Sequence, residues 1–217
     1  MYLILLGPPG TGKGTQADII AERLGWPHIS TGEMMRQAVR EGTELGRKVK
    51  AYMDRGQLVP DELTIQMLLE RIAQPDSGQG FILDGYPRNL EQARALDKAL
   101  AAGGRSIDKA LYIGASDEEV IARLAGRWLC PDCGAVYHER HNPPAQPGRC
   151  DRCGGPLYQR DDDRPETVRR RLELQRVPQD LLEHYRRAGR LVEVDGEQDM
   201  EAVTRDLLAA VGVAEHA

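Results

Sequence analysis

The chain has 217 residues, a length that suits one α/β domain with a small insertion. Its net charge of −5 argues against a general nucleic-acid binder, because binding to a phosphate backbone requires a basic surface. No stretch approaches the roughly 18 apolar residues of a membrane span, and Met1 leads directly into the first strand without room for a signal peptide, so we expect a cytoplasmic protein.

The chain opens with a strand, a glycine-rich loop and a helix. The apolar run Tyr2–Leu6 predicts a buried strand, and an amphipathic helical pattern begins just past Gln16. The loop between them, GPPGTGK, fits the spacing G-x-x-x-x-G-K from Gly7 to Lys13, in which backbone N–H groups surround a phosphate and the lysine reaches its outer oxygens. Gly14 stands where the usual pattern has the Ser or Thr that holds magnesium. An ordinary Gly/Pro turn is the alternative, which the placement of the lysine disfavours.

A short strand and a helix come next. Trp26–Ile29 predicts the strand, and Ser30–Glu33 resembles a capping box that opens the helix. Thr31 and Arg36 lie at the start of this helix, beside the strand ends, where doubly wound sheets bind ligands. A solvated helix charge is the alternative interpretation of Arg36.

The following segment predicts a small mobile helical flap. Residues 42–60 hold several glycines around short helical pieces such as Leu45–Asp54. We expect Asp61 to cap the next helix, whose apolar residues run from Ile65 to Ile72.

A second site signal lies in GFILDGYPRNL, residues 80–90. A buried apolar strand ends at Asp84, and the turn after it carries Arg88 to the same sheet edge as the glycine loop. A carboxylate at this place is suited to organise magnesium, directly or through water. The alternative is that Asp84 caps the helix that begins near Asn89. Gln92 lies one helical turn farther and faces the same way.

The remaining core elements alternate between helix and strand. A helix to Ala101, the strand Ala110–Ile113 and a helix at 117–126 are predicted before the insertion, with Arg123 and Arg127 near its mouth. A helix over 165–187 carries Arg171 and must be kinked or interrupted at Val177–Pro178. The last strand is 191–194, and the terminal helix ends near Val211.

The insertion at 127–164 carries all four cysteines of the chain: Cys130, Cys133, Cys150 and Cys153. Two C-x₂-C pairs separated by sixteen residues predict a tetrahedral structural zinc site. The segment has few aliphatic residues, so metal binding would supply its folding free energy. Disulfides and free thiols are the alternatives, and a reducing compartment disfavours the former. His138 and His141 are nearby, but four thiolates already fill a tetrahedron.

Together these elements predict an α/β fold: a P-loop NTPase-type parallel sheet of about five strands with helices on both faces. Six basic side chains are expected around the phosphate end: Lys13, Arg36, Arg88, Arg123, Arg160 and Arg171. One phosphate chain does not need so many, whereas a phosphoryl group moving between two phosphorylated substrates does. No general base is needed if the acceptor is itself a phosphate, because its second pKa is near 6.

At this point the sequence resembles the adenylate kinase family of nucleoside monophosphate kinases, in the long bacterial form with a zinc-bearing lid. The resemblance covers essentially the whole chain and rests on GPPGTGKGT, STGEMMR, DGYPR, the four-cysteine insertion and RDDDRPETVRRR. It implies reversible, Mg²⁺-dependent phosphoryl transfer between ATP and AMP to give two ADP, by a monomer. It also implies a core of residues 1–29, 60–126 and 165–217, an NMP-binding domain at 30–59 and a lid at 127–164. Glu33 stands where the family usually has aspartate.

The resemblance also implies roles for individual residues. The ATP phosphates and base would contact Gly10, Thr11, Gly12, Lys13, Gly14, Thr15 and Arg127, and the adenosine side Val136, Tyr137 and Gln198. AMP would contact Thr31, Arg36, Gln57, Leu58, Val59, Gly85, Tyr86, Pro87, Arg88 and Gln92. Arg160 and Arg171 would hold both substrates, and Lys13 and Arg123 would follow the moving charge. Asp84 would lie in the outer shell of magnesium, and Gly14 in the loop is usual for this family.

Three alternatives remain at this stage. A kinase for UMP, CMP or another monophosphate would share most of these motifs. A mechanical P-loop ATPase should show a strand ending in Asp-Glu, whereas Gly85 follows Asp84 here. A zinc ribbon that binds nucleic acid is disfavoured by the acidic run Asp161–Asp163 beside it.

Overall fold

The computed structural model describes residues 1–213. The strands of this part of the chain are β1 (Tyr2–Leu6), β2 (His28–Ser30), β3 (Phe81–Asp84), β4 (Lys109–Gly114), β5 (Arg127–Leu129), β6 (Val136–His138) and β7 (Leu191–Asp195). Five of them form one parallel sheet in the order β2-β3-β1-β4-β7, and β5 and β6 form a separate antiparallel pair. The predicted five-stranded parallel sheet is therefore confirmed.

The helices of the described residues are α1 (Lys13–Leu24), α2 (Thr31–Arg40), α3 (Glu44–Asp54), α4 (Asp61–Ile72), α5 (Leu90–Ala101), α6 (Asp117–Ala125), α7 (Pro165–Leu174), α8 (Gln179–Arg187) and α9 (Met200–Ala210). Two short 3₁₀ turns lie at Pro75–Ser77 and Asp161–Asp163. Pro178 precedes the first residue of α8, so the proline divides the predicted 165–187 helix into two. No helix within residues 1–213 is both long and apolar enough to span a membrane.

The sheet has a packed layer on each face because side chains alternate along its buried strands. In β1, Ile4 and Leu6 pack with side chains of α4, α5 and α8. Leu3 and Leu5 point the other way and pack with α1 and α9. The run Tyr2–Leu6 is apolar throughout because both faces of the sheet are covered.

Two smaller units border the carboxyl edge of the sheet. Helices α2 and α3 share an apolar cluster with the chain leading into α4, formed around Met35, Val49 and Val59. The β5–β6 pair and the cysteine segment form another, around Tyr137 and Leu157.

Two local predictions about helix starts need correction. Ser30 Oγ accepts a hydrogen bond from Glu33 N at 3.4 Å, but the Glu33 carboxylate turns to Arg36 and Arg40, so only half of the capping box forms. The prediction that Asp61 caps α4 is wrong, because Pro60 is the cap residue and Asp61 is the first helical residue.

Candidate active site

The register of the sheet brings the glycine loop and Asp84 together. Leu5 of β1 pairs with Asp84 of β3, which also pairs with Ser30 of β2, so three strand ends meet at one edge. A Cβ on Gly14 would lie 3.7 Å from Asp84 Oδ2, which sets the carboxylate directly over the loop. Asn89 caps α5, with its Oδ1 accepting from Gln92 N at 2.9 Å. The alternative that Asp84 is a helix cap is therefore wrong.

The glycine loop is shaped by what packs on it. Gly10 has φ +84°, and a Cβ there would lie 2.8 Å from Leu124 Cγ of α6, so only glycine allows this approach. The contact holds α6, and with it Arg123, against the loop. Thr11 Oγ1 donates to Pro8 O at 3.1 Å, closing the loop on itself.

Lys13 is a buried basic group of the site. It is only 8% exposed, and its Nζ donates to Pro8 O at 2.6 Å. Burial lowers the pKa of Lys13 to about 7, against the opposing effect of Asp84, and the positive charges of Arg88, Arg171 and Arg127 lower it further. Two of the six predicted basic residues, Arg88 and Arg171, are therefore close enough to act on Lys13. Such a lysine is ready to gain both a proton and an anion.

Arg88 lies where the loop after β3 turns back over the edge of the sheet. Its Nε donates to Gly85 O at 2.7 Å and its Nη1 to Gln175 Oε1 at 3.3 Å, while its backbone N donates to the side chain of Gln92. Burial lowers the pKa of Arg88, but a guanidinium remains charged at neutral pH. The side chain is thus held in place by groups that do not neutralise it.

A solvent-open cleft lies between this loop and the flap, and polar and apolar side chains both line it. Predicted site residues along it are Thr31, Arg36, Gln57, Leu58, Val59, Gly85, Arg88, Gln92 and Arg171. A smaller cavity adjoins it and is lined by Lys13 and Pro87 among others. Tyr86 is fully buried, and its hydroxyl donates to Gln92 O at 2.9 Å, so this side chain supports the cleft from below.

Acidic side chains hold the arginines around the cleft. Glu33 pairs with Arg36 at 2.9 Å, with Arg40 at 2.8 Å and with Arg160 at 3.7 Å. Although burial opposes it, the charge of Arg36 and the hydrogen bonds from Arg40 and Arg36 keep the pKa of Glu33 below its usual value. Arg160 Nε is buried without a hydrogen-bond partner among residues 1–213, so its N–H is available to donate to a bound anion.

The acidic run Asp161–Asp163, at the end of the lid segment, also holds arginines in place. Asp163 is 3% exposed and accepts two hydrogen bonds from Arg127, at 2.6 and 2.8 Å. Arg171 Nη1 lies 3.2 Å from the same carboxylate and 3.0 Å from that of Asp162. From sequence, this run was part of a family motif and an argument against nucleic acid, but the pairing of its carboxylates with the arginines was not predicted. The signal was present in the alternation of Arg160, three aspartates and Arg171.

Other predicted contact residues lie outside these two cavities. Arg123 pairs with Glu119 at 2.6 Å and donates to Gly196 O at 2.8 Å. Gln198 Nε2 donates to Asp195 O and to Asp206. Val136 is exposed, whereas Tyr137 is buried in the lid cluster, with its hydroxyl accepting from Asp151 N at 2.7 Å. Any adenosine contact at Val136–Tyr137 therefore falls to the backbone and to Val136.

The four cysteines converge as the spacing predicts. Their Sγ atoms all lie within 4.8 Å of one another, and the pairs Cys130–Cys153 and Cys133–Cys150 are 3.4 Å apart. A tetrahedron with Zn–S bonds of about 2.3 Å has S–S edges of about 3.8 Å, so the cluster has the right size. The structure has all four cysteines as free thiols. The His138 ring nitrogen Nδ1 is occupied by the N–H groups of Arg140 and His141.

Comparisons with known proteins agree with this site. The sequence model of the adenylate kinase family matches residues 5–190. An adenylate kinase of Archaeoglobus fulgidus is 51% identical over 96% of this chain and 97% of its own length. Adenylate kinases of Lysinibacillus sphaericus and a Geobacillus species are 52% and 51% identical, covering 95% and 98% of this chain and 96% and 99% of their own lengths. On this match, with a glycine loop, a basic cleft and a four-cysteine lid in place, the chain belongs to the adenylate kinase family.

Proposed function

We propose that this enzyme transfers the terminal phosphoryl group of ATP to AMP, reversibly and with Mg²⁺, to give two ADP. The observation that carries the proposal is that Lys13 of the phosphate loop and Arg88 line one small cavity, and that Arg88 also lines the cleft that opens to the flap. Arg88 therefore stands between the phosphate loop and the cleft, where the transferred group would pass between donor and acceptor.

The chain's own residues provide binding and charge. The loop Gly10–Thr15 binds the ATP phosphates through its N–H groups and Lys13, and Arg123 and Arg127 contact the same chain of phosphates. AMP lies in the cleft, with its phosphate between Arg36 and Arg88. Arg160 and Arg171 reach both nucleotides from the base of the lid. Since the acceptor phosphate is already ionised at neutral pH, no side chain has to remove a proton from it.

Magnesium fits the residues present at the loop. Asp84 offers a hard oxygen ligand above Gly14, within hydrogen-bond distance of Ser30 Oγ at 3.4 Å. When bound, the ion would neutralise part of the phosphate charge, with Asp84 holding its water shell. Zinc is the second metal that we propose, at Cys130, Cys133, Cys150 and Cys153. It would be structural because four thiolates leave no open coordination position.

We also infer the domain limits, with an AMP-binding unit at 30–59 and a lid at 127–164 around the core. The separate apolar clusters of α2–α3 and of the cysteine segment support this division. We further propose a cytoplasmic monomer that does not bind nucleic acid. Light scattering and a gel shift at low salt are the direct measurements, and a stable dimer or a salt-dependent shift would contradict the respective statement.

The test of the function is ADP formation from ATP with AMP, UMP, CMP and GMP in turn. We expect AMP to be used with the highest kcat/KM, and the reverse reaction to convert two ADP into ATP and AMP. Incubation with ATP alone gives the hydrolysis background. Equal or higher kcat/KM with UMP or CMP would favour the other monophosphate kinases, which the family match disfavours. ADP formed at the same rate without any monophosphate would instead identify an ATPase.

A further inference from the structure

Gln175 connects the flap to the residue that stands between the two cavities. It follows the last residue of α7 and its backbone N donates to Arg171 O at 2.8 Å, so its position is fixed by the helix that carries Arg171. Its side chain Nε2 donates to Gly56 O at 2.7 Å, and its Oε1 accepts from Arg88 Nη1 at 3.3 Å. No other side chain in residues 1–213 is hydrogen-bonded both to the flap and to Arg88.

Both ends of this bridge are constrained. Gly56 is buried at φ +68°, and a Cβ there would lie 2.7 Å from Arg171 Cγ, so the flap is packed directly on α7. The next residues are Gln57–Val59, which line the AMP cleft. At the other end, Arg88 is also held by Gly85 O. A shift of Gln175 therefore moves either the cleft wall or the guanidinium.

The chemistry of the amide suits this place. A carboxamide has a donor end and an acceptor end, and one orientation satisfies a carbonyl and a guanidinium together. A glutamate would set an oxygen against Gly56 O and would neutralise Arg88. A methionine would keep the length and remove both hydrogen bonds.

We propose that Gln175 is a positioning residue for AMP. It fixes the flap segment Gly56–Val59 relative to Arg88, so that the cleft wall holds the monophosphate while Arg88 holds its attacking oxygen in position. The inference rests on the proposed function, because it assigns AMP to the flap side. Within residues 1–213, the hydrogen bonds of the Gln175 side chain go to Gly56 and Arg88 and not to the loop Gly10–Thr15, so ATP binding should depend on it less than AMP binding.

The experiment compares Gln175→Met and Gln175→Glu with the wild type and with Gln179→Met, a change at an exposed glutamine at the start of α8. For Gln175→Met we expect the KM for AMP to rise about tenfold, the loss typical of a hydrogen bond to a charged group, while the KM for ATP changes less than twofold. Gln175→Glu should raise the KM for AMP further because its charge repels the AMP phosphate. Gln179→Met should match the wild type in both constants.

Other outcomes overturn the inference. Unchanged constants, or equal changes in the KM for AMP and ATP, would mean that Gln175 has no selective role on the AMP side. Melting curves of each variant separate a loss of this role from misfolding. If Gln175→Met is destabilised, Gln175→Glu decides whether the KM for AMP changes more than the KM for ATP. Failure of the wild type to use AMP at all would reject the proposed function itself, which is a different result.

Discussion

At the scale of single residues, the site contains many basic side chains, and paired carboxylates hold its arginines close together. Glu33, Asp162 and Asp163 pair with arginines from α2, the lid and α7, so these cations stay near the cleft despite their mutual repulsion. Repulsion at Lys13 is reduced in a different way: burial lowers the pKa of this lysine, so a smaller fraction of it is charged. Nucleotide phosphates can restore that charge when they arrive.

The first prediction concerns Arg88. Arg88→Ala should lower kcat about 10² to 10³-fold, because each contact to the developing charge of a transferring phosphoryl group contributes several kcal/mol. Far-UV circular dichroism and the melting curve should show a retained fold. Arg94→Ala, at an exposed position of α5, is the matched control and should keep wild-type turnover. Wild-type turnover in folded Arg88→Ala would remove this residue from the mechanism.

The second prediction follows from the pKa of Lys13. At pH 8 a group with a pKa of about 7 is mostly neutral in the protein alone, whereas ATP phosphates favour its charged form. ATP binding at pH 8 should therefore take up close to one proton, and affinity should fall as the pH rises above about 7. Calorimetry in buffers of different ionisation enthalpy measures the uptake.

The lowered pKa of Lys13 also makes the stability of the fold depend on pH. The folded pKa of Lys13 lies below the unfolded value, so the charged lysine destabilises the fold below pH 7, and this cost is relieved as the pH rises from about 7 to about 10.5.

Lys13→Arg is the control for proton uptake because an arginine cannot lose its proton. Equal uptake by Lys13→Arg and wild type would assign the proton to another group.

At the scale of elements, local pattern predicted most of the architecture. The strand Tyr2–Leu6, the glycine loop and the interruption at Pro178 depend on periodicity and on residues with restricted backbone, and these are readable in one sequence. The paired cysteines were equally readable because their spacing is local.

The parts that sequence missed depend on partners distant in the chain. Asp61 is a residue type that is common at helix caps. Its carboxylate instead accepts hydrogen bonds from Asn89 Nδ2 at 2.7 Å and Gln92 Nε2 at 2.6 Å, about thirty residues farther along the chain. Gln175 bonds to Gly56 and Arg88, and no periodicity marks such a contact. Propensity describes a residue's own segment, whereas these side chains are decided by tertiary packing.

The third prediction belongs to the cysteine segment as an element. Its cluster is small, centred on Tyr137 and Leu157, so metal binding should supply much of its folding free energy. Cys153→Ala, or treatment with a strong chelator, should abolish stoichiometric zinc and lower the melting temperature. Activity at moderate temperature should persist in part, because Arg123 and the glycine loop are anchored on core elements.

Three measurements on one preparation decide this: zinc content, melting curve and turnover. His141→Ala is the matched control and should retain zinc, since four thiolates complete the tetrahedron. Turnover lost completely in Cys153→Ala, at a temperature where the core is folded, would give the metal or a rigid lid a direct part in catalysis.

At the scale of the whole molecule, the cleft is formed by three units that meet at the carboxyl edge of one sheet. The proposed AMP-binding unit at 30–59 contributes Arg36 and Gln57–Val59, the lid boundary contributes Arg160, and the core contributes Lys13 and Arg88. The Glu33–Arg160 pair joins that unit and the lid boundary directly. Since water at the site would accept the phosphoryl group and waste ATP, we expect flap and lid to close together when both nucleotides are bound.

The final prediction tests that two-site arrangement. A mimic that joins two adenosines through five phosphates should contact the phosphate loop and the AMP cleft at once, so it should bind at least about 10²-fold more tightly than ATP or AMP alone, as bisubstrate and transition-state analogues do. Calorimetry measures the three affinities, and Arg88→Ala should reduce the affinity for the mimic more than that for ATP, because Arg88 stands where the two cavities meet. Binding of the mimic no tighter than that of ATP would mean that only one nucleotide site exists, and the positions of Arg36, Arg88 and Arg171 would then need another explanation.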